Sequence, residues 1–407
     1  MKYFRHVSPI EKPYLAKDLD KSTPCAFHFV IEGTGELCLS KLQDAVDQCV
    51  LANPGSNLIL KGHMRFARWH CHNVIPRVRT VKAAHWDGYS DEGAPFLTEP
   101  LDARQGPNFE VLIAEGSPNR LIFRAHHGVT DGQGFFMLIR DILFALENKL
   151  VQGSDSAIRD IDVMRRTNSP PIQLGKMDAV LPTGTAQGED LTFRWKRFEI
   201  PAKQSLFLPR LSQAILQSSL RYFDDPLLRF RITVDLRRAL TAERSTANLS
   251  GGFDLEVNKS SSLEDLQHSI DQQLASNQAF AMPPSILTKI GEWMPIHGFR
   301  PSNNNTLKYL SKPFRVRSAT LSNVGTFNLS EIKIPGFKAE NIFFIPPLTV
   351  TKPPIFVVAV RSEEKTNIVI SGPTLITNNN RLDILCEDIK GYFEECIQEE
   401  GLDKKIA

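Results

Sequence analysis

The feature that most constrains the fold of this chain is an alternation of strand and helix patterns that stops once and then starts again. Early in the chain, "CAFHFVIEG" (residues 25–33) predicts a strand and "GFFMLIRDILFALENKL" (134–150) predicts an amphipathic helix. Later, "LRFRITVDL" (228–236) predicts another strand, and "SLEDLQHSIDQQL" (262–274) predicts a helix that opens with a capping box. Mixed patterns in both halves predict an α/β (α+β) protein with two lobes.

The boundary between the two halves is a segment rich in Pro, Gly and Thr. "NSPPIQLGKMDAVLPTGTAQGED" (168–190) shows no sustained hydrophobic period, as is typical of a connection. A chain of 407 residues is also longer than a single hydrophobic core commonly serves. We therefore predict an N-terminal lobe at 1–168, a linker or crossover at 169–190 and a C-terminal lobe at 191–407.

Composition excludes several classes of function. Hydrophobic residues make up 42% and charged residues 23%, as in an ordinary globular protein. A net charge of +2, from 48 basic and 46 acidic residues, provides no overall field to attract nucleic acid. No apolar run reaches the roughly 18 residues of a membrane span, no secretory leader is visible, and the six cysteines form no CxxC pair. We expect a cytoplasmic monomer with reduced thiols, no membrane span and no nucleic-acid partner.

Two adjacent histidines precede an Asp-Gly pair in "HHGVTDG" (126–132). If the residues before this stretch form a strand, side chains alternate between its faces, so His126 and His127 point in opposite directions. Such a pair does not converge on one ion, whereas zinc requires three or four converging ligands. His70 and His72 of "WHCH" could share a strand face, but no third ligand follows at a suitable spacing. We therefore predict no metal site.

The same stretch offers a base without a metal. His127 lies at the end of the predicted strand, where its side chain can face a crevice between lobes. The ordinary imidazole pKa of about 6.5 makes the neutral base available near pH 7. Asp131 can accept backbone N–H groups or pair with an arginine, and Gly132 can adopt a positive φ in a sharp bend. The spacing alone also fits a purely structural turn, so catalysis and structure both remain open at this point.

"HHGVTDG" resembles the HHxxxDG signature of the chloramphenicol acetyltransferase-like superfamily. This superfamily includes nonribosomal peptide condensation domains, stand-alone alcohol acetyltransferases, polyketide-associated acyltransferases and plant BAHD acyltransferases. The segments "PLDARQGPNFEVLIAEGSPNRLIFRAHH" before the motif and "LIRDILFAL" after it are similar to those of the family. In the second half, "FRITVDLRRAL", "TANLSGGF" and "TLSNVGTFNL" follow in the family's order, so the resemblance spans nearly the whole chain.

The resemblance implies two related lobes in a V-shaped pseudo-dimer with a central tunnel. It implies a condensation-type acyltransferase of secondary metabolism that forms an ester or an amide. The acyl donor would be a thioester, either acyl-CoA or a phosphopantetheine-linked acyl group on a carrier protein, and would be bound as substrate. The acceptor would be the hydroxyl or amine of a small molecule, and no tightly bound cofactor is implied.

The departures from the family pattern favour one branch of it. The BAHD element "DFGWG" is replaced by "LSNVG", and "LANPGSNLIL" stands where condensation domains carry "RHExLRTxF". These differences indicate a free-standing acyltransferase rather than an excised module. The alternative is a catalytically inactive, condensation-like protein that docks a carrier protein or another biosynthetic partner.

The resemblance also assigns roles to the residues of the motif. His127 would be the general base that acts on the acceptor, and its second ring nitrogen would need a partner such as its own backbone carbonyl. Asp131 would be structural, paired with an arginine of the C-terminal lobe. Arg237 is the best match for that arginine, and Arg238 is the alternative because "DLRR" leaves the register open.

Four further residues are predicted to support the site. His126 is expected to pack and form hydrogen bonds behind it, with substrate contact as the alternative. Gly132 is expected to provide backbone geometry and clearance for a thin pantetheine arm. Ser322 and Asn323 are candidates to stabilise the oxyanion or bind substrate, and the alternative is that "SNVG" only builds a loop.

Overall fold

A computed structural model describes most of the chain. The described residues are 3–17, 25–72, 75–167, 170–172, 175–202, 204–241, 243–282, 285–300, 302–349 and 352–406. Residue 168, at the end of the predicted N-terminal lobe, and residues 169, 173 and 174 of the predicted linker lie outside them.

Strands and helices alternate along the described chain. The strands are β1 Phe4–His6, β2 Ala26–Gly35, β3 Leu58–Lys61, β4 Arg68–Cys71, β5 Val78–Lys82, β6 Phe109–Glu115, β7 Asn119–His126, β8 Phe193–Pro201, β9 Leu228–Asp235, β10 Ser250–Val257, β11 Ala319–Thr326, β12 Lys333–Ile334, β13 Phe337–Ile345, β14 Ile355–Arg361 and β15 Lys365–Pro373. The helices are α1 Lys12–Lys17, α2 Leu39–Ala52, α3 Gly132–Leu146, α4 Asp160–Arg166, α5 Phe207–Ser219, α6 Leu263–Ala275, α7 Ser285–Trp293, α8 Asn303–Leu310, α9 Thr374–Thr377 and α10 Arg381–Ile406. The mixed α/β class expected from the sequence is confirmed.

The first sheet has the strand order β12-β13-β2-β7-β6-β5. Strands β6 and β7 form the hairpin that the sequence predicts around residues 116–119. Alternate residues of β2 and β7, among them Phe29 and Phe123, are buried against α2 and α3. The core of this half forms because the apolar stripe of each helix covers one face of the sheet.

The second sheet has the order β10-β9-β11-β14-β15-β8, and α5, α6 and α10 contribute to its core. The predicted capping box is present: the Ser262 hydroxyl accepts from the Asp265 amide, and the Asp265 carboxylate accepts from the Ser262 amide. A small third sheet, β1-β4-β3, carries the N-terminal strand. In the described ranges, no helix is both long enough and apolar enough to cross a membrane.

The two large sheets do not follow the chain division at residues 168 and 191. Strands β12 and β13 lie in the predicted C-terminal lobe, but β13 pairs along its whole length with β2 of the first sheet. The described part of the predicted linker also packs against protein, because Val180 and Leu181 are buried in the core of the second sheet. The chain therefore crosses between the two halves more than once.

The helix after the motif differs from its predicted bounds of 134–150. It begins at Gly132, because the Asp131 carboxylate caps the helix by accepting from the Gly134 amide at 2.8 Å. The helix ends at Leu146. Asn148, just beyond, has a positive φ, which is a backbone conformation that does not occur inside a right-handed helix. The strand before the motif ends at His126, one residue earlier than predicted. His127 therefore lies in the turn between β7 and α3.

The capping box gives a test of the helix assignment. Ser262→Ala removes the side-chain acceptor for the Asp265 amide, so we expect the free energy of unfolding to fall by about 1 kcal/mol. The measurement is urea unfolding followed by circular dichroism. Ser276→Ala, at the other end of the same helix, is the control and should change stability by less than about 0.5 kcal/mol. An equal loss in both variants would contradict the capping role.

Candidate active site

A cavity of about 160 Å³ lies where the two large sheets approach each other. The first sheet contributes Phe27 and Phe344, and the turn before α3 contributes His127. The second sheet contributes Thr233 and Ser322. Residues from both halves of the chain therefore line one cavity, and the predicted base is among them.

The backbone of His127 is held from both halves. Its amide donates to the Cys25 carbonyl at 2.7 Å, which ties the turn to the start of β2. Its carbonyl accepts from Asn248 Nδ2 at 2.7 Å, which ties the turn to the segment before β10. These two contacts fix where the imidazole emerges into the cavity.

The protonation state of the imidazole follows from its surroundings. His127 Nδ1 lies 3.2 Å from the carbonyl oxygen of Thr130. A carbonyl oxygen can only accept a hydrogen bond, so Nδ1 carries the proton and Nε2 is the basic nitrogen. Burial lowers the pKa of His127 to about 4, because the site disfavours the charged form. The imidazole is therefore neutral at physiological pH and ready to accept a proton at Nε2.

Two aromatic rings fix the plane of this imidazole. The Tyr14 ring of α1 lies tilted against it, with centroids 4.3 Å apart. The Phe27 ring of β2 meets it edge to face at 5.3 Å. Contacts at these distances restrict rotation of the His127 side chain and shield it from bulk water.

Asp131 is a buried carboxylate whose hydrogen bonds come from three places. Oδ1 accepts from the Gly134 amide in the first turn of α3. Oδ2 accepts from the Leu249 amide and, at 3.0 Å, from Arg237 Nη1. A buried carboxylate is stable only when charge and hydrogen bonds offset its desolvation. Asp131 thus joins the motif turn to the second half of the chain.

The structure separates the two candidate arginines. Arg237 is 7% exposed and lies against Asp131, and it also contacts Asp235 and the carbonyls of Ser245 and Ala247. Arg238 is exposed and donates to the Leu274 carbonyl. Strand alternation is not the reason for this separation, because residues 236–239 form a 3₁₀ turn after β9 ends at Asp235.

His126 lies behind the site. Its side chain is fully buried, and its Nδ1 accepts from the Gly128 amide at 2.9 Å. A side chain at Gly128 would come within 3.0 Å of the same ring. His126 therefore contacts the turn and does not line the cavity, and a supporting role for it stays a prediction.

Gly132 differs from expectation in its backbone conformation. Gly132 does not adopt a positive φ, because it is the first residue of α3. Gly132 lines the cavity, and a Cβ added there would meet only the Phe136 ring, at 3.9 Å. The lack of a side chain at Gly132 therefore leaves open space at this point of the cavity wall. Gly134, which follows the motif in the first turn of α3, is tightly packed. A Cβ there would lie 2.7 Å from Thr130 Oγ1 and 2.8 Å from Arg237 Nη2.

Ser322 and Asn323 both line the cavity, and they belong to β11 rather than to a loop. Ser322 Oγ accepts from Thr233 Oγ1 at 3.0 Å, which leaves its own proton available to a ligand. The Asn323 side chain is exposed, and its Oδ1 accepts from the Gly325 amide at 3.3 Å. The irregularity in the pairing of β11 with β14 falls at Val324, directly after these two residues.

Several cavity residues were not predicted from the sequence. Thr233 and Asp235 lie on β9, and Gln133 of α3 donates from Nε2 to the Val324 carbonyl across the cavity at 3.0 Å. The sequence signal for the first two is the alternation in "LRFRITVD", where each odd position from 229 to 235 is polar and the even positions are apolar. No local pattern marks Gln133, because its partner is almost two hundred residues away.

The polar groups that line the cavity are of a kind that can transfer protons and donate hydrogen bonds. Within the described ranges, no group of three or more His, Cys, Asp or Glu side chains is placed to hold a metal ion. The cavity instead combines one neutral imidazole with the hydroxyls of Thr233, Ser250 and Ser322. Such a set can accept a proton at one point and donate hydrogen bonds at another.

The Asp131–Arg237 pair can be tested by its coupling. Arg237→Met leaves the Asp131 carboxylate buried without its cation, so we expect a loss of about 3–5 kcal/mol in the free energy of unfolding. Adding Asp131→Asn should recover part of that loss, because the charge that lacked a partner is gone. Urea unfolding of the single and double variants measures the coupling. Arg238→Met is the matched control, and a loss as large as that of Arg237→Met would contradict this account.

The fold can be compared with known proteins. No family model and no curated protein matches the sequence. Solved structures do match over nearly the whole chain. The epimerization domain from the third module of tyrocidine synthetase B has a TM-score of 0.57 at 13% identity, covering 98% of each chain.

Two condensation domains give similar values. The starter condensation domain of rhizomide synthetase, determined with C8-CoA and Leu-SNAC, has a TM-score of 0.63 at 14% identity, covering 96% of this chain and 94% of its own. The condensation domain of the monacolin K polyketide synthase has a TM-score of 0.62 at 10% identity, covering 96% of each chain. The chain therefore has the fold of condensation domains over nearly its whole length, which is the fold expected from the resemblance of its HHxxxDG motif.

Proposed function

We propose that the protein is an acyltransferase that moves an acyl group from a thioester to the hydroxyl or amine of a small molecule in secondary metabolism. The observation that carries the proposal is the state of His127. Its imidazole lines the cavity, is neutral because burial lowers its pKa to about 4, and has its free basic nitrogen at Nε2. A neutral, positioned imidazole is the group that a general base requires.

The proton balance of the reaction runs through this one nitrogen. Nε2 of His127 accepts the proton of the acceptor as its oxygen or nitrogen attacks the thioester carbonyl. The tetrahedral intermediate then collapses, the carbon–sulfur bond breaks, and the imidazolium returns the proton to the leaving thiolate. Burial disfavours the imidazolium, so the site favours the return of this proton.

The oxyanion of the intermediate needs a hydrogen-bond donor on the other side of the cavity. We assign this role to the Ser322 hydroxyl, because Thr233 donates to it and its own proton is left for a ligand. One such donor is worth roughly 10²- to 10³-fold in rate. Asn323 remains the second candidate, because it lines the same cavity.

The donor is a coenzyme A thioester or an acyl group on a carrier protein. The C8-CoA complex of the starter condensation domain supports a thioester of coenzyme A, since that domain has the same fold. A docking protein without catalysis, the alternative, would not require a neutral imidazole braced from both halves of the chain. The acyltransferase is therefore the function that the site supports best.

The base assignment is tested by His127→Ala. We expect acceptor-dependent release of free thiol to fall by about 10²- to 10⁴-fold, the usual contribution of a general base. The measurement is thiol release from a panel of acyl-CoA donors, with and without alcohol or amine acceptors. His268→Ala, which removes an exposed histidine of α6, is the control. Unchanged release in the His127 variant would overturn the assignment, and no turnover over the whole panel would favour the docking alternative.

The pH dependence offers a separate test. The base form of His127 is present above its pKa, which burial lowers from 6.5 to about 4. We therefore expect kcat/KM to stay level from pH 8 down to pH 5 and to fall only as the pH approaches about 4. A pH profile of kcat/KM with an alcohol acceptor measures this directly. An inflection near 6.5 would contradict a buried, neutral imidazole.

A further inference from the structure

A partly buried cation lies beside the cavity on the same face of the second sheet. Thr233 of β9 lines the cavity, and Arg231 precedes it by two residues, so both side chains leave the same face. Two residues of a strand span roughly 6–7 Å. On this face of β9, Asp235 follows Thr233 along the strand and Arg231 precedes it.

The Arg231 side chain leans toward the cavity. Gly252 of β10 is the pairing partner of Thr233, and a Cβ built on Gly252 would lie 2.9 Å from Arg231 Nε. The Arg231 side chain thus extends from its own position on the strand over the Thr233–Gly252 pair. Thr233 of that pair lines the cavity. The glycine leaves the room for it.

Arg231 is linked to the His127 imidazole through Tyr14. It lies close enough to Tyr14 for each to affect the titration of the other. The Tyr14 ring is the one that contacts His127, with centroids 4.3 Å apart. A group bound to Arg231 would therefore lie on the side of the site where Tyr14 packs against His127.

Around Arg231, the described residues include two arginines that share one aspartate. Asp254 faces Arg231 across the strand pair, but its Oδ1 is 3.6 Å from Arg231 Nη1. The same oxygen accepts from Arg317 Nε at 2.7 Å. Among the residues that the structure describes, one carboxylate thus serves two guanidinium groups, whose side chains are 32% and 28% exposed.

We propose that Arg231, supported by Arg317, binds a carboxylate of the substrate next to the reacting group. The chemistry fits, because a guanidinium binds a carboxylate through charge-assisted hydrogen bonds and an added anion would balance the excess cation. Burial and the charge of Arg317 lower the pKa of Arg231, in keeping with a cation that lacks full neutralisation. The proposal rests on the proposed function for the identity of the reacting group.

The phosphates of coenzyme A are a second source of negative charge. Arg231 is two residues from Thr233 on β9, a distance of roughly 6–7 Å, and therefore lies close to the place where the acyl group reacts. The long pantetheine arm holds the phosphates of coenzyme A much farther from its sulfur. The geometry thus favours a carboxylate on the acyl group or on the acceptor, within a few bonds of the reacting atom.

Binding of simple anions tests the site without any assumption about turnover. Titration calorimetry would measure glutarate, inorganic phosphate and coenzyme A against the wild type, Arg231→Gln and Arg238→Gln. We expect glutarate to bind the wild type and Arg238→Gln alike, and to bind Arg231→Gln at least about 10-fold more weakly. Equal glutarate affinity in Arg231→Gln, or no glutarate binding by the wild type, would overturn the proposal. So would loss of coenzyme A binding alone in Arg231→Gln, because the anion would then be a phosphate.

Turnover distinguishes this proposal from the proposed function. Glutaryl-CoA is compared with butyryl-CoA as donor, and a hydroxy acid is compared with the alcohol of the same length as acceptor. Arg231→Gln should lower kcat/KM about 10- to 100-fold for the carboxylated member of one pair and leave the uncharged member unchanged. Arg231→Lys should keep part of that preference, and circular dichroism shows whether each variant is folded. Turnover without any effect of charge would overturn the carboxylate site alone, whereas glutarate binding without turnover would overturn the proposed function alone.

Discussion

The rest of the site depends on how one buried carboxylate is stabilised. Asp131 would be costly to bury alone, and no single segment of the chain supplies all its donors. The first turn of α3 provides one amide, and the second half provides the Leu249 amide and the Arg237 guanidinium. The charge is therefore stabilised only when both halves are in place. His127, four residues earlier in the same turn, is positioned by that requirement.

A second buried carboxylate obeys the same rule away from the cavity. Glu32 of β2 accepts from Arg120 of β7 and from Arg197 of β8, each at 2.8 Å, and from Asn341 of β13 at 2.9 Å. Arg197 belongs to the second sheet and the other residues to the first. Such pairs contribute less to net stability than to the specificity of the arrangement, since an apolar replacement can be as stable. Both carboxylates select one way of placing the two sheets together.

Much of the architecture depends on residues that are close together in the sequence, and this part was predictable. The capping box of α6 marked its first turn. Strand alternation predicted that His126 and His127 point apart, but β7 ends at His126, so the turn and not the strand places His127. Helix ends were less predictable: the bounds of α3 depend on the Asp131 cap, which looks from the sequence like an ordinary turn residue. Partners distant in the chain were not predictable from pattern. Arg237 and Arg238 are equivalent in the sequence, and only the 3₁₀ turn that follows β9 places one of them inside.

The path of β13 has a consequence for how the molecule could be divided. This strand belongs to the second half of the chain but completes the first sheet beside β2. A fragment that stopped at the predicted linker would expose the backbone donors and acceptors of β2 along a long apolar edge, which is a template for aggregation. A fragment that began there would carry β13 with only the two-residue strand β12 beside it. A break at the linker would therefore divide the pairing of the first sheet between two fragments.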